Sequence, residues 1–275
     1  MDLLSVDKTL CIHCGSCAVA CPRGLIRLEQ GWPVSAQEDL CIACGHCVAV
    51  CPVAALDNRR TPLFAQSGLS TVAIDDETMR SVLRSRRSIR SFKNNPVERQ
   101  KLLQLMDIAR FAPSGGNSQG ISYIIIDERQ VLQQLNEHAI QWMENQSAAA
   151  TAAAPVYRQY VAMYRQQGKD SVLRNAPCLI VATAAASFAR GRENSLLSLA
   201  YVELYSPSLK LGSCWAGLLE GAAFAGYEPV LNLLAIPAEK QLTGLLMVGH
   251  PECRFHRLPD RLPLDISFRN KQAPR

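Results

Sequence analysis

Residues 11–22 read CIHCGSCAVACP and residues 41–52 read CIACGHCVAVCP. Both carry the spacing Cys-x2-Cys-x2-Cys-x3-Cys-Pro, through Cys11, Cys14, Cys17 and Cys21 and then Cys41, Cys44, Cys47 and Cys51. Three cysteines at three-residue intervals on a tight loop can hold three corners of an iron–sulfur cube. The fourth, next to proline, lies too far along the chain to close the same cube and serves the other one. The spacing predicts one cluster on Cys11, Cys14, Cys17 and Cys51 and a second on Cys41, Cys44, Cys47 and Cys21. Gly15 and Gly45 permit the close turns this needs. A pair of zinc sites would call for two close ligand pairs separated by a longer loop, not two quartets each ending in Cys-Pro. His13 and His46 sit inside the loops and read as exposed neighbours of the clusters.

Eight of the eleven cysteines fall within residues 11–51, which argues for metal or redox chemistry rather than disulfides. Cys178, Cys214 and Cys253 lie in apolar sequence and read as small core residues. The formal charge of +5 counts every cysteine as a neutral thiol. Two oxidised clusters with their thiolates bring it to roughly +1. With no basic stripe interleaved with aromatics, nothing favours nucleic-acid binding. No apolar run is long enough for a membrane span, and the first twenty residues lack a signal-peptide pattern, so a cytoplasmic location is expected.

The composition shifts near residue 57. The expected organisation is a cluster domain over 1–57, a surface linker over 58–74, and a second domain over 75–275. Beyond Asp75, a helix with Met79, Val82 and Leu83 on one face is expected, then another from Pro96 to Pro113. Strands are expected at 122–127, 178–184 and 242–249, with mostly helical sequence over 128–168 broken at Pro155. A long helix is placed over 194–211, followed by LGSCWAG (211–217) as a loop. The pattern is α+β, helices over a mostly antiparallel or mixed sheet. The tail 255–275 holds Pro259 and Pro263 before LDISF, a strand-like piece, and reads as an arm that docks on a second subunit.

Three separated stretches have binding character. RSRRSIRSF (84–92) clusters Arg84, Arg86, Arg87 and Arg90 around Ser88, groups suited to phosphate. APSGGNSQG (112–120) offers backbone N–H groups and the Asn117 and Gln119 amides. Arg257 and Arg261 add late positive charge.

Residues 1–57 resemble a bacterial-type ferredoxin carrying two 4Fe-4S clusters. Residues 75–268 resemble the nitroreductase family of flavin enzymes, through RRSIRSF, PSGGNSQ and ELYSPSLKLGSCWAG in that order. The whole looks like a ferredoxin–nitroreductase. That resemblance implies a homodimer with FMN at two interface sites. Arg86, Arg87, Ser88 and Arg90 match the motif that holds the phosphate, the ribityl chain and the N1/O2 edge. Pro113, Ser114, Gly115 and Asn117 match the loop that reaches the flavin from the partner subunit. Trp215, Ala216 and Gly217 match the segment whose backbone lies near N5, and Arg257 or Arg261 matches a late position that grips phosphate. Gly120 stands where many members have Pro-Trp, which leaves the wall over the ring more open.

The expected activity is that of an FMN-dependent oxidoreductase. A low-potential donor, a ferredoxin-like protein or NAD(P)H, would feed electrons through two 4Fe-4S clusters to FMN, and so to an electron-poor acceptor such as a nitro compound. The same fold would also suit quinones, activated C=C bonds, carbon–halogen bonds or the oxidative direction. A non-catalytic electron carrier or redox sensor is the rival of another class. No side chain stands out as an obligatory acid or base, though Tyr201, Glu203, Tyr205 and Glu220 could serve; Arg90 would tune the flavin.

Overall fold

The computed structural model of the chain describes residues 2–69, 72–148 and 152–269. The N-terminal part follows one plan twice. Its elements are β1 (Leu4–Val6), α1 (Ser16–Ala20), β2 (Ile26–Glu29), β3 (Trp32–Ser35), α2 (His46–Ala49) and β4 (Leu56–Asn58). β2 and β3 form a hairpin, and β1 pairs antiparallel with β4, so the two ends of this half are tied together. Gly15 and Gly45 precede α1 and α2 at φ 73° and 74°, a left-handed turn that only glycine enters without a Cβ penalty. The apolar core here is small: Ile26, Val48 and Leu56 with Cys47, backed by Leu4 and Val6. The chain stays against this half past residue 57. Asn58 is buried, and the Arg60 guanidinium donates to the Cys41 carbonyl at 2.6 Å.

α3 (Asp76–Ser85) is capped by Asp75, whose carboxylate accepts from the Thr78 amide at 2.7 Å. Its apolar face, Met79, Val82 and Leu83, is exposed. α4 (Arg99–Ala109) starts later than the expected Pro96, because Val97 buries into the core while Glu98 is still extended. Next come β5 (Ile121–Ile126), α5 (Arg129–Ser147) and α6 (Ala154–Gln167). Pro155 opens α6 from its first turn, where its missing N–H costs nothing. β6 (Cys178–Ala185) leads to α7 (Gly191–Tyr205), which ends earlier than expected. Pro207 tightens the chain into a 3-10 turn over Ser206–Leu209.

LGSCWAG is not a loop. Gly212–Trp215 is β7, paired antiparallel with the last strand, and it is followed by α8 (Gly217–Phe224), α9 (Glu228–Leu234) and β8 (Lys240–Gly249). The sheet is antiparallel throughout, in the order β5-β6-β8-β7. Both faces are covered. Leu179, Val181, Leu245 and Met247 face Leu135, Ile140, Leu219 and Leu234 from α5, α8 and α9. Ile180, Ala182, Leu246 and Val248 face Leu105, Leu199 and Val202 from α4 and α7. Burial on two sides is why β6 and the end of β8 read as unbroken apolar runs rather than alternating ones. Each of the fully buried leucines contributes roughly 1.5–3 kcal/mol. No helix among the described residues is long and apolar enough to cross a membrane. Beyond Pro251 the described chain has neither helix nor strand and is exposed, LDISF included.

Candidate functional site: two cysteine cradles and a cationic groove

Two small pockets lie in the N-terminal half. One is lined by Cys41, Cys44, Cys47 and Cys21, the other by Cys11, Cys14, Cys17 and Cys51. Each takes three cysteines from one phrase and the fourth from the other. Among the described residues no three His, Cys, Asp or Glu side chains converge as a single ion requires; the thiols surround a volume instead. The cradle walls carry donors aimed at sulfur. The Leu25 amide donates to Cys21 Sγ at 3.3 Å and the Ala55 amide to Cys51 Sγ at 3.2 Å. Asn58 Nδ2 donates to Cys47 Sγ at 3.6 Å. Such bonds stabilise charge on thiolates, so the donor set fits iron–sulfur cubes. His13 lies at the rim, stacked edge-on with Trp32 at 4.2 Å and bonded to the Gly31 carbonyl.

In the second half, RRSIRSF runs along β7. The Ile89 amide donates to the Ser213 carbonyl at 2.9 Å, Ser88 bridges Ser213, and Phe92 bridges Pro251. The approach is so close that a Cβ on Gly212 would collide with the Ile89 side chain. Arg86 is partly spent on structure: its guanidinium meets the buried Glu203 carboxylate at 3.1 Å, and Trp215 Nε1 donates to the same group at 3.0 Å. Arg87 is different. Its terminal nitrogen donates to the Arg84 and Pro259 carbonyls, but its Nε is buried with no acceptor. A cationic donor left orphaned is what an anionic oxygen would satisfy. Arg90 is exposed beside Cys214. Burial raises the Cys214 thiol, while the charge of Arg90, a bond from Ser88 and the charge of Arg174 pull it down. Arg174, half-buried just after Leu173 and before β6, is the second positive charge acting on Cys214, and its sequence context gave no signal of that. The contact with Pro259 brings the stretch holding Arg257 and Arg261 past Arg87, although both arginines are exposed.

Behind Trp215, the Ala216 amide already donates to the Leu245 carbonyl at 3.0 Å, whereas Gly217 opens α8 onto empty space. Of that pair, Gly217 has room for a ligand. Glu220 is bound by both terminal nitrogens of Arg192, at 3.0 and 3.2 Å, and by the Leu245 amide. Glu203 and Glu220 are thus occupied carboxylates rather than free bases. Of the remaining cysteines, Cys178 is buried, and desolvation pushes its thiol up to about 12. Cys253, expected in the core, is exposed in the segment after β8.

The third stretch lies elsewhere. Pro113, Ser114, Gly115 and Asn117 precede β5, one edge of the sheet, whereas residues 86–92 line β7, the other edge. Asn194, near the start of α7, anchors this loop: its carbonyl oxygen accepts from the Gly115 amide at 3.3 Å and its nitrogen donates to Ser118 Oγ at 3.1 Å. Asn117 Nδ2 donates to the carbonyls of Ile42 and Ala43 at 3.0 and 2.9 Å, and Gln119 Nε2 donates to Asn117 Oδ1 at 3.1 Å. The Asn117 amide is therefore committed to the cysteine loop 41–44. Gly120 leaves no open wall: the Phe188 ring lies where a Cβ would stand only 3.3 Å from it. A separate polar cleft, lined by Asp127, Gln133, Asn136 and Asp170 among others, carries none of these residues.

The family model "Nitroreductase family" matches residues 83–250, and the model "4Fe-4S dicluster domain" matches residues 5–57. The chain is 25% identical over 185 residues to 5,6-dimethylbenzimidazole synthase of Rhodospirillum rubrum, covering 64% of this chain and 82% of that one. It is 25% identical over 184 residues to FMN reductase [NAD(P)H] of Bacillus subtilis, covering 66% and 68%. Among solved structures, a nitroreductase with bound FMN from Desulfitobacterium hafniense superimposes with a TM-score of 0.57 at 20% identity, covering 71% of this chain and 99% of that one.

Proposed function

The chain belongs to the nitroreductase family, with a 4Fe-4S dicluster domain ahead of the family's own, and from that premise we propose an iron–sulfur flavoprotein oxidoreductase that passes electrons inward through two clusters to FMN. FMN, when bound, supplies the step from single electrons to the pair that an electron-poor acceptor such as a nitro compound takes up. Arg87, with its orphaned Nε, and Ser88 would hold the phosphate, joined by the segment carrying Arg257 and Arg261. Arg90 and Arg174 would meet negative charge on the cofactor, and preformed positive charge needs no reorganisation. Arg86 would act from one step away, by holding Glu203 and through it Trp215. The eight cysteines would hold the two cubes, with the Leu25, Ala55 and Asn58 donors limiting charge on the sulfurs.

The exposed apolar face of α3 and the arm residues Leu262, Leu264 and Phe268 support a second copy of the chain as the natural cover. One observation carries the reading of an electron inlet. The loop between Cys41 and Cys44 is hydrogen-bonded to the loop 113–119 of the enzyme domain, so the cluster half is fixed against the half that resembles flavin enzymes. Anaerobically purified and reconstituted protein should contain about eight iron atoms and about one FMN per chain. Two clusters with no flavin would leave an electron carrier in its place.

A further inference from the structure

We infer that the cluster held by Cys21, Cys41, Cys44 and Cys47 is the outlet of the N-terminal domain, and that it serves the flavin groove of a second copy of the chain rather than its own. The inference rests on the function proposed above and adds the wiring.

The outlet follows from Asn117. Ile42 and Ala43, whose carbonyls its amide holds, lie between two ligands of this cradle. The other cradle has its own surface. Cys14 is exposed, and Leu10, Ile12 and Val19 beside it stand 49–89% exposed, the side on which a donor can approach.

The crossing between chains follows from α7 and the sheet. Asn194 anchors the loop that carries Asn117, and Glu203 anchors Arg86 and Trp215 of the groove. Nine residues of helix separate the two anchors, about 14 Å. The loop leads into edge strand β5 and the groove lies on edge strand β7, three strand spacings away, again about 14 Å across the sheet. One chain therefore holds the two stretches apart. Between the anchors, Leu196, Leu197 and Tyr201 face outward, 37–44% exposed. A two-fold contact through this middle part of α7 buries them against their own counterparts. It also lays the Asn194 end of one helix beside the Glu203 end of the other. The loop of each copy, with its cluster attached, then meets the groove of the other.

In each transfer one reduced cluster loses one electron and the flavin of the other chain gains it. Two transfers and protons from solvent complete the flavin's two-electron reduction, the electrons coming from an external one-electron reductant.

The test uses two pairings of differently tagged full-length chains, co-expressed and isolated by sequential affinity steps. In the first, one chain carries Cys41→Ser with Cys44→Ser and the other carries Arg87→Ala with Arg90→Ala. In the second, all four substitutions are on one chain and its partner is wild type. Both dimers contain the same lesions, one intact outlet and one intact groove. Under anaerobic rapid mixing with reduced ferredoxin, flavin bleaching and the EPR signal of the clusters are followed. Transfer between chains predicts fast bleaching in the first pairing. In the second it predicts loss of the fast phase, down to the rate of the homodimer substituted at Cys41 and Cys44. The reverse order overturns the inference. Iron content and sedimentation check that both dimers are assembled, and the comparison holds even when the cysteine substitutions weaken the cluster domain, since both pairings share them. If the wild-type homodimer itself bleaches no faster than the cysteine-substituted one, the inlet reading fails and takes this inference with it.

Discussion

At the scale of single residues, the arginine cluster divides in a way its sequence does not show. RRSIRSF presents three arginines of similar appearance, yet Arg86 is paired with Glu203 while Arg87 keeps a buried nitrogen without an acceptor. What separates them is a carboxylate 117 positions away, a long-range contact that local chemistry cannot announce. Glu203→Ala would leave Arg86 and the Trp215 indole without their shared acceptor. We expect a loss of about 2 kcal/mol in denaturant unfolding, because two part-buried donors lose the one buried carboxylate that they share. Glu203→Gln should recover part of that loss, since its amide oxygen still accepts from the indole. In the cluster half, Asn58→Ala removes a donor to Cys47 Sγ. The cluster on that cysteine should then become harder to reduce, its potential moving to more negative values in an EPR-monitored redox titration. An unchanged potential would show that the 3.6 Å contact carries no weight.

At the scale of elements, the parts most legible in the sequence were those whose chemistry is local. The repeated cysteine spacing already groups the residues that line each cradle, three from one phrase and one from the other. β6 and β8 are plain from their apolar runs. β7 was missed: GSCW is four residues long, begins with glycine and is polar at its second position, so no periodicity marks it. Its strand character comes from β8 on one side and from residues 88–89 on the other. Gly212 is the residue that makes this possible. Gly212→Ala would drive a Cβ into Ile89 and push RRSIRSF off the strand. The expected cost is about 1–3 kcal/mol, seen as a lowered Tm, together with weaker flavin retention through gel filtration. Retained flavin at wild-type stoichiometry would separate the groove from its seat on β7.

At the scale of the whole molecule, the two halves have unequal means of support. The cluster half has four buried residues in its own apolar cluster, whereas the enzyme half has a sheet covered on both faces. A domain with so little core depends on its metal centres for folding. Stripping iron with a chelator under oxidising conditions should therefore unfold residues 2–66 and leave the rest folded. Circular dichroism should show a partial loss of ellipticity, and calorimetry a single remaining transition. The sequence conveys the presence of both halves but not their junction. Asn117 looks like a member of a ligand-binding loop until its amide is seen on the carbonyls of Ile42 and Ala43. The offset of Asn194 and Glu203 along α7 has a consequence for how the protein responds to dilution. A solitary chain would be an open circuit, able to charge its clusters and unable to discharge them. Specific activity with a cluster-reducing donor should accordingly fall as the protein is diluted through its dissociation constant. A small reductant that reaches the flavin directly should be far less sensitive to the same dilution.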